Sequence, residues 1–152
     1  MSETVLVSAC LLGLKTRYDG EHNLSRTTLD HLQACGLTVI PICPEQLAGL
    51  PTPRCKTWFT EGDGQTVIAG AGMMTDETGA EMMEYFLSGA RSCLQIALLN
   101  KSEKAILKQN SPSCGTTTVY RSGKKVSGMG VTAALLQEHG IKVFSEDDFS
   151  SG

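Results

Sequence analysis

Two short apolar runs separated by one amphipathic segment are the feature that most limits the fold of this chain. Residues 4–9 and 37–42 are rich in β-branched side chains and predict two buried strands. Between them, Leu29, Leu32 and Cys35 have the spacing of one face of a helix. A strand, a helix and a second strand in this order form a βαβ unit, which requires parallel strands and a right-handed crossover.

The rest of the chain continues this alternation. The pattern predicts helices at residues 77–99 and 131–138, strands at 104–107 and 141–144, a small ribbon at 116–120 and 124–127, and a β-hairpin at 56–59 and 66–68. The chain has 152 residues, a length typical of one domain. We therefore predict a single α/β domain over residues 1–152. Its core is an open, mainly parallel, Rossmann-like sheet with helices on both faces, plus a small β-hairpin insertion.

Composition and charge exclude several classes of protein. A hydrophobic fraction of 41% is too high for a disordered polyelectrolyte. The net charge of -3 has the wrong sign for a nucleic-acid coat, and no apolar run has the length of a membrane span. The chain starts with Met-Ser-Glu-Thr, which lacks the basic charge of a secretory signal. We expect a cytoplasmic protein with reduced thiols and no membrane partner, and the sequence leaves its oligomeric state open.

The cysteines fall into two groups by position. Cys10, Cys43 and Cys114 each lie at or just past the carboxyl end of a predicted parallel strand. In an open α/β sheet these ends form the crevice where ligands bind, so the three thiols are expected to converge. Cys35 and Cys93 lie on apolar helix faces, where free cysteine behaves as a small hydrophobe, and we interpret both as core residues.

Three converging thiolates suit two kinds of metal centre, and the residues alone leave both open. Zinc normally takes a fourth protein ligand, or a water at a catalytic site. A four-iron cluster held by three cysteines leaves one iron open to a substrate sulfur, oxygen or nitrogen. Cys55 lies in a loop near the crevice, and we favour a role other than ligand for it. Surface or packing roles are expected for the histidines, His22, His31 and His139.

Short motifs surround each of the three cysteines. In chain order they are Ser8-Ala9-Cys10-Leu11-Leu12-Gly13, Arg17-Tyr18-Asp19-Gly20, Cys43-Pro44-Glu45, residues 49–54, Lys108, Ser111-Pro112-Ser113-Cys114-Gly115 and residues 128–136. This series resembles the DUF523 family, whose characterised members are thiouracil desulfurases. The resemblance covers almost the whole chain.

The resemblance implies a cofactor, a reaction and a set of site residues. The cofactor is a [4Fe-4S] cluster with Cys10, Cys43 and Cys114 as its ligands. The reaction is the non-redox removal of sulfur from a thiolated nucleobase such as 2-thiouracil. The family pattern also implies an active-site carboxylate beside the middle cysteine, which here is Glu45. Thr16 stands where such families often carry a further cysteine, and this departure removes no implied ligand.

The expected chemistry needs no electron transfer. Sulfur of the thiocarbonyl binds the open iron, water attacks the ring carbon, and Glu45 accepts the proton of that water. The structural alternative for Glu45 is a carboxylate that stabilises a helix N-terminus. Ser111 and Ser113 are candidates for hydrogen bonds to substrate or cluster sulfurs, or for ordinary turn bonds. Lys108 is a candidate to hold an anionic intermediate, or it is simply a solvated lysine.

Two other functions stay open at this point. One is the same chemistry on thiolated nucleosides or tRNA, for which a polymer substrate would favour a basic stripe of side chains. The other is a non-catalytic zinc- or sulfur-binding module. A zinc protein would be colourless, whereas an iron–sulfur protein would be brown and sensitive to oxygen.

Overall fold

A computed structural model describes residues 3–149. Residues 1–2 and 150–152 lie outside the described residues. They include the first two residues of Met-Ser-Glu-Thr and both ends of the predicted domain 1–152. The strands are β1 (Thr4–Ser8), β2 (Thr38–Ile42), β3 (Thr57–Glu61), β4 (Met73–Asp76), β5 (Lys104–Leu107), β6 (Thr118–Arg121), β7 (Lys124–Ser127) and β8 (Lys142–Ser145). The α-helices are α1 (Arg26–Cys35), α2 (Pro44–Leu47), α3 (Gly64–Ile68), α4 (Met83–Leu99) and α5 (Val131–Glu138).

The first sheet is parallel throughout and has the order β2-β1-β5-β8. β1 lies inside the sheet, where Val5 pairs with Val39 on one side and Lys104 on the other. The predicted βαβ unit is therefore confirmed, and β1 and β2 end at the same edge of the sheet.

Helices cover both faces of this sheet, as predicted. Along β1, Val5 and Val7 pack with Leu32 of α1 on one face. Leu6 points to the opposite face and packs among residues of α4 and α5, including the fully buried Cys93. This alternation follows from the period of two in a strand. The α/β class is confirmed, and so is the position of Cys93 in the core.

A second four-stranded sheet, of order β4-β3-β6-β7, corrects the predicted hairpin. Residues 66–68 are part of α3 and do not form a strand; the antiparallel partner of β3 is β4. The reason is the side chain of Asp63, which accepts the N–H of Thr66 in a capping box and starts a helix where the sequence suggested a turn. The ribbon of β6 and β7 is confirmed and extends this sheet.

Two further predictions were wrong in detail. α4 begins at Met83 and not near residue 77, because the Asp76 carboxylate accepts the N–H groups of Thr78 and Ala80 and holds a turn there. Cys35 is exposed and not in the core. Cys35 is the last residue of α1, one turn beyond the buried Leu32, and its sulfur lies 3.9 and 3.8 Å from the ring nitrogens of His31.

Two glycines allow segments of backbone to approach each other directly. A Cβ atom at Gly89 of α4 would lie 2.2 Å from the carbonyl oxygen of Pro44 in α2. A Cβ atom at Gly130, just before α5, would lie 2.4 Å from the carbonyl carbon of Ser113. Only glycine permits contacts this close. They bring α4 against the segment after Cys43, and α5 against the loop that carries Cys114.

Candidate functional site

One cavity of about 570 Å³ opens at the carboxyl ends of β1, β2 and β5. Cys10 reaches it from the short 3-10 helix after β1, and Cys43 from the N-cap position of α2. Cys114 reaches it from the loop after β5. The structure thus brings the three predicted cysteines to one cavity from three separate strand ends.

The environment of these thiols keeps them protonated. Burial raises the pKa of Cys43 to about 11, and the neighbouring charge of Glu45 adds to the effect. Burial likewise raises the pKa of Cys10 and of the deeply buried Cys114 above the ordinary value. At neutral pH the three sulfurs are therefore thiols, and a metal that binds them must displace their protons.

Glu45 lies in the first turn of α2, and donors from three segments meet its carboxylate. The hydroxyl of Ser113 donates to Oε1. The Cys43 thiol lies 3.6 Å from Oε2, and the guanidinium of Arg54 lies 3.8 Å from the same oxygen. α2 has only four residues, so its dipole offers this carboxylate little. The carboxylate is held beside the cysteines by specific partners.

The two candidate serines play different parts. Ser111 lines the cavity, and its hydroxyl accepts the N–H groups of Ser113 and Cys114 at 3.2 and 3.1 Å. These are turn bonds that shape the loop. Ser113 is fully buried, donates to Glu45, and lies 3.6 Å from Cys114 Sγ. The hydroxyl of Ser113 therefore influences the cavity through the Glu45 carboxylate, which lines it.

Lys108 follows β5 directly and lines the cavity. Its ammonium group lies 3.0 Å from the carboxylate of Glu146 and donates to the carbonyl oxygen of Gln109 at 2.9 Å. Its backbone N–H donates to the hydroxyl of Ser8 at the end of β1. Lys108 is therefore a paired cation fixed at the cavity wall, which differs from the solvated alternative.

Sequence reasoning missed Gln109, which organises the loop leading to Cys114. Its side-chain oxygen accepts three successive backbone N–H groups, those of residues 116–118. Its amide nitrogen donates to the hydroxyls of Thr116 and Thr117 at 3.0 Å. A buried glutamine has no periodic signature, and only its position next to Lys108 pointed to the site.

The lining of the cavity combines aromatic rings with cations. Tyr18, Trp58 and Tyr120 line it, and the exposed Cys55 lies among them. The ammonium group of Lys56 lies 5.2 Å from the centre of the Tyr18 ring, within the range of a cation–π contact. Tyr18 lies in the Arg17-Tyr18-Asp19-Gly20 motif, but the sequence analysis assigned a site role to none of the three aromatic residues.

The donor set of this cavity fits an iron–sulfur cluster. Within residues 3–149, no three His, Cys, Asp or Glu side chains are grouped closely enough to hold a single metal ion. Zinc requires all its ligands within about 2.3 Å of one centre. A four-iron cluster instead takes cysteine thiolates at separate iron corners. Cys10, Cys43 and Cys114, which line one cavity, are donors of the type that such a cluster takes.

Comparison with known proteins identifies the family. The sequence profile of the 2-thiouracil desulfurase family matches residues 5–148. The chain belongs to this family. The match confirms the resemblance seen in the motifs around the cysteines.

Two relatives are similar to nearly the whole chain. The solved structure of TudS, described as a [4Fe-4S]-dependent thiouracil desulfidase, superposes with a TM-score of 0.81 at 39% identity. The alignment covers 97% of this chain and 93% of TudS. The uncharacterized protein YbbK of Bacillus subtilis (strain 168) is 38% identical over 152 residues, covering 96% of this chain and 97% of YbbK. Both cover nearly the full length, so the likeness includes the second sheet.

Proposed function

We propose that this protein removes sulfur from thiouracil in a [4Fe-4S]-dependent, non-redox reaction that yields uracil and sulfide. The observation that carries the proposal is the cavity in which three thiols and one held carboxylate meet. Membership of the 2-thiouracil desulfurase family and the likeness to TudS support the same reaction.

Cys10, Cys43 and Cys114 would hold the cluster. When bound, the cluster supplies an iron without a protein ligand, a Lewis acid suited to a soft thiocarbonyl sulfur. The three sulfurs enter the cavity from segments that follow β1, β2 and β5, so the fold itself brings the proposed ligands together. Thr16 stands where such families often carry a further cysteine. Its backbone carbonyl oxygen lies 3.9 Å from the Cys43 sulfur and accepts from the thiol.

Glu45 is the proposed general base. A carboxylate within hydrogen-bond reach of a water accepts the proton that the water loses as it attacks the ring carbon. Ser113 holds Oε1, which leaves Oε2 on the side of Cys43. Lys108, fixed by Glu146, places a positive charge at the wall of the cavity, where it favours an anionic intermediate.

The proposed substrate is a free base or nucleoside. A cavity of about 570 Å³ lies within the range that accommodates small molecules. The aromatic residues in its lining suit a planar ring. The net charge of -3 disfavours a polyanionic substrate, so thiolated tRNA is the alternative that a test must separate.

We also propose a cytoplasmic location and no membrane partner. All six cysteines are free thiols, which fits a reducing compartment. Across residues 3–149, a membrane-crossing helix would need greater length and a more apolar surface than any helix here has.

The proposal is tested by anaerobic purification followed by iron, sulfide and zinc analysis and by sulfide release from a panel of thiobases. We expect a brown, oxygen-sensitive protein with iron and inorganic sulfide in equal amounts, and sulfide release from thiouracil. A colourless zinc protein without sulfide release would overturn the function in favour of a metal-binding module.

A further inference from the structure

We propose that Arg54 is a positioning residue that fixes the carboxylate of Glu45 for its reaction with water. The inference rests on the proposed function, in which Glu45 is the general base. It concerns a residue of the cavity lining whose proposed effect on the reaction runs through the carboxylate.

Hydrogen bonds to residues other than Glu45 orient the guanidinium of Arg54. Nη2 donates to the backbone carbonyl of Thr16 at 2.9 Å. Nη1 donates to the hydroxyl of Thr52 at 3.0 Å and to the carbonyl of Pro51 at 3.3 Å. The backbone N–H of Arg54 also donates to the carbonyl of Tyr18 at 2.7 Å. With acceptors on both Nη atoms, the planar group has a set direction, and the side chain pays little further ordering cost when it pairs with Glu45.

Burial distinguishes this ion pair from a surface one. The side chains of Arg54 and Glu45 are 11% and 12% exposed. By comparison, those of Arg17 and Asp19, which also form an ion pair, are 31% and 35% exposed. Exposed pairs contribute little because water screens them and their side chains move. Removing one partner of a buried ion pair leaves the other charge without compensation. The Glu45 carboxylate therefore depends on Arg54 more than an exposed carboxylate would.

The two oxygens of Glu45 are held from different parts of the chain. Ser113, in the loop after β5, holds Oε1, while Arg54 lies against Oε2. Without Arg54, Oε2 keeps only the Cys43 thiol as a neighbour, at 3.6 Å, and that sulfur is itself a proposed cluster ligand. The oxygen that meets the water is then held less firmly. A displacement of about 1 Å in a catalytic group can lower a rate by about a hundredfold.

The test measures sulfide release and iron content on the same samples of reconstituted protein. Arg54→Gln removes the charge and the fork, and Arg54→Lys keeps the charge alone. We expect turnover per iron to fall about ten- to a hundredfold in Arg54→Gln with KM little changed, and to fall less in Arg54→Lys. Arg121→Gln is the matched control, because Arg121 also donates to a backbone carbonyl, that of Gly62, but does not line the cavity.

A double-mutant cycle with Glu45→Gln separates positioning from other roles. If Arg54 acts through Glu45, Arg54→Gln lowers turnover per iron little further in the Glu45→Gln background. Additive losses, or unchanged turnover per iron in both Arg54 variants, would overturn the inference. A loss of turnover that merely follows loss of iron or of folded protein would also overturn it. Failure of the wild-type protein to release sulfide would instead count against the proposed function.

Discussion

Replacing Gly130 with alanine is predicted to displace Cys114 without straining the backbone at the mutated residue. Gly130 has φ -71° and ψ 163°, which alanine adopts freely. The added Cβ would nevertheless lie 2.4 and 2.6 Å from the carbonyl carbon and oxygen of Ser113 and 2.7 Å from the nitrogen of Cys114. Carbon atoms in ordinary contact are about 3.5–4.0 Å apart. The start of α5 and the Cys114 loop must therefore separate by about 1 Å.

The expected cost follows from this overlap. Overpacking of this kind costs about 1–3 kcal/mol, and each kcal/mol lowers the Tm of a chain of this size by about 2–4 °C. The assay is thermal unfolding of the metal-free protein, together with iron per chain after anaerobic reconstitution. We expect a lower Tm and an iron content well below that of the wild type, because one of three proposed ligands has moved.

Gly140→Ala is the matched control at the other end of α5. Gly140 has φ +82° and nothing within 4 Å of an added Cβ, so alanine there costs about 1–2 kcal/mol from backbone strain alone. This variant should lose Tm but keep its iron. If Gly130→Ala bound as much iron as Gly140→Ala, the close approach at Gly130 would not be what positions Cys114.

The remaining predictions concern ligands, the base and the substrate. Cys10→Ala, Cys43→Ala and Cys114→Ala should each abolish iron loading, whereas Cys93→Ala should keep the iron and lose about 1 kcal/mol of unfolding free energy; normal iron in any of the first three would refute the ligand set. Glu45→Gln should keep iron and colour but lose most sulfide release, because an amide does not accept the proton of water; near-wild-type turnover would place the base elsewhere. Turnover of thiouracil should change little between low and physiological salt, whereas activity confined to thiolated tRNA and falling steeply with salt would refute the small-molecule substrate.

The sequence predicted the first sheet well because its signals are local. Continuous apolar runs at β1 and β2, separated by an amphipathic α1, leave few alternatives to a parallel pair. The second sheet was harder to predict from the sequence, because its outer strands, β4 and β7, have four residues each and its turns carry glycine. Asp63 illustrates the difficulty. In Glu-Gly-Asp-Gly it is typical of a turn, and only the contact with Thr66 makes it a helix cap.

The candidate site likewise contains residues whose placement could be predicted from local signals and residues whose placement could not. The placement of Cys10, Cys43 and Cys114 at one cavity could be predicted, because parallel strands bring their carboxyl ends together whatever lies between them. Arg54 and Gln109 could not be assigned in this way. Their contacts to Thr16 and Glu146 span 38 and 37 residues, and no periodicity in the sequence encodes such pairs.

The pairing of β1 with β5 has a consequence for the order of events during synthesis. The hydrogen bond from the Lys108 N–H to the Ser8 hydroxyl joins residues 100 positions apart. At about 5–20 residues per second, the ribosome needs roughly 5–20 s to make that intervening chain. Cys10 and Cys43 are translated early in this interval, whereas Cys114 is translated only after it has ended. If these three thiols hold the cofactor, its insertion at all of them must wait until residue 114 has been translated.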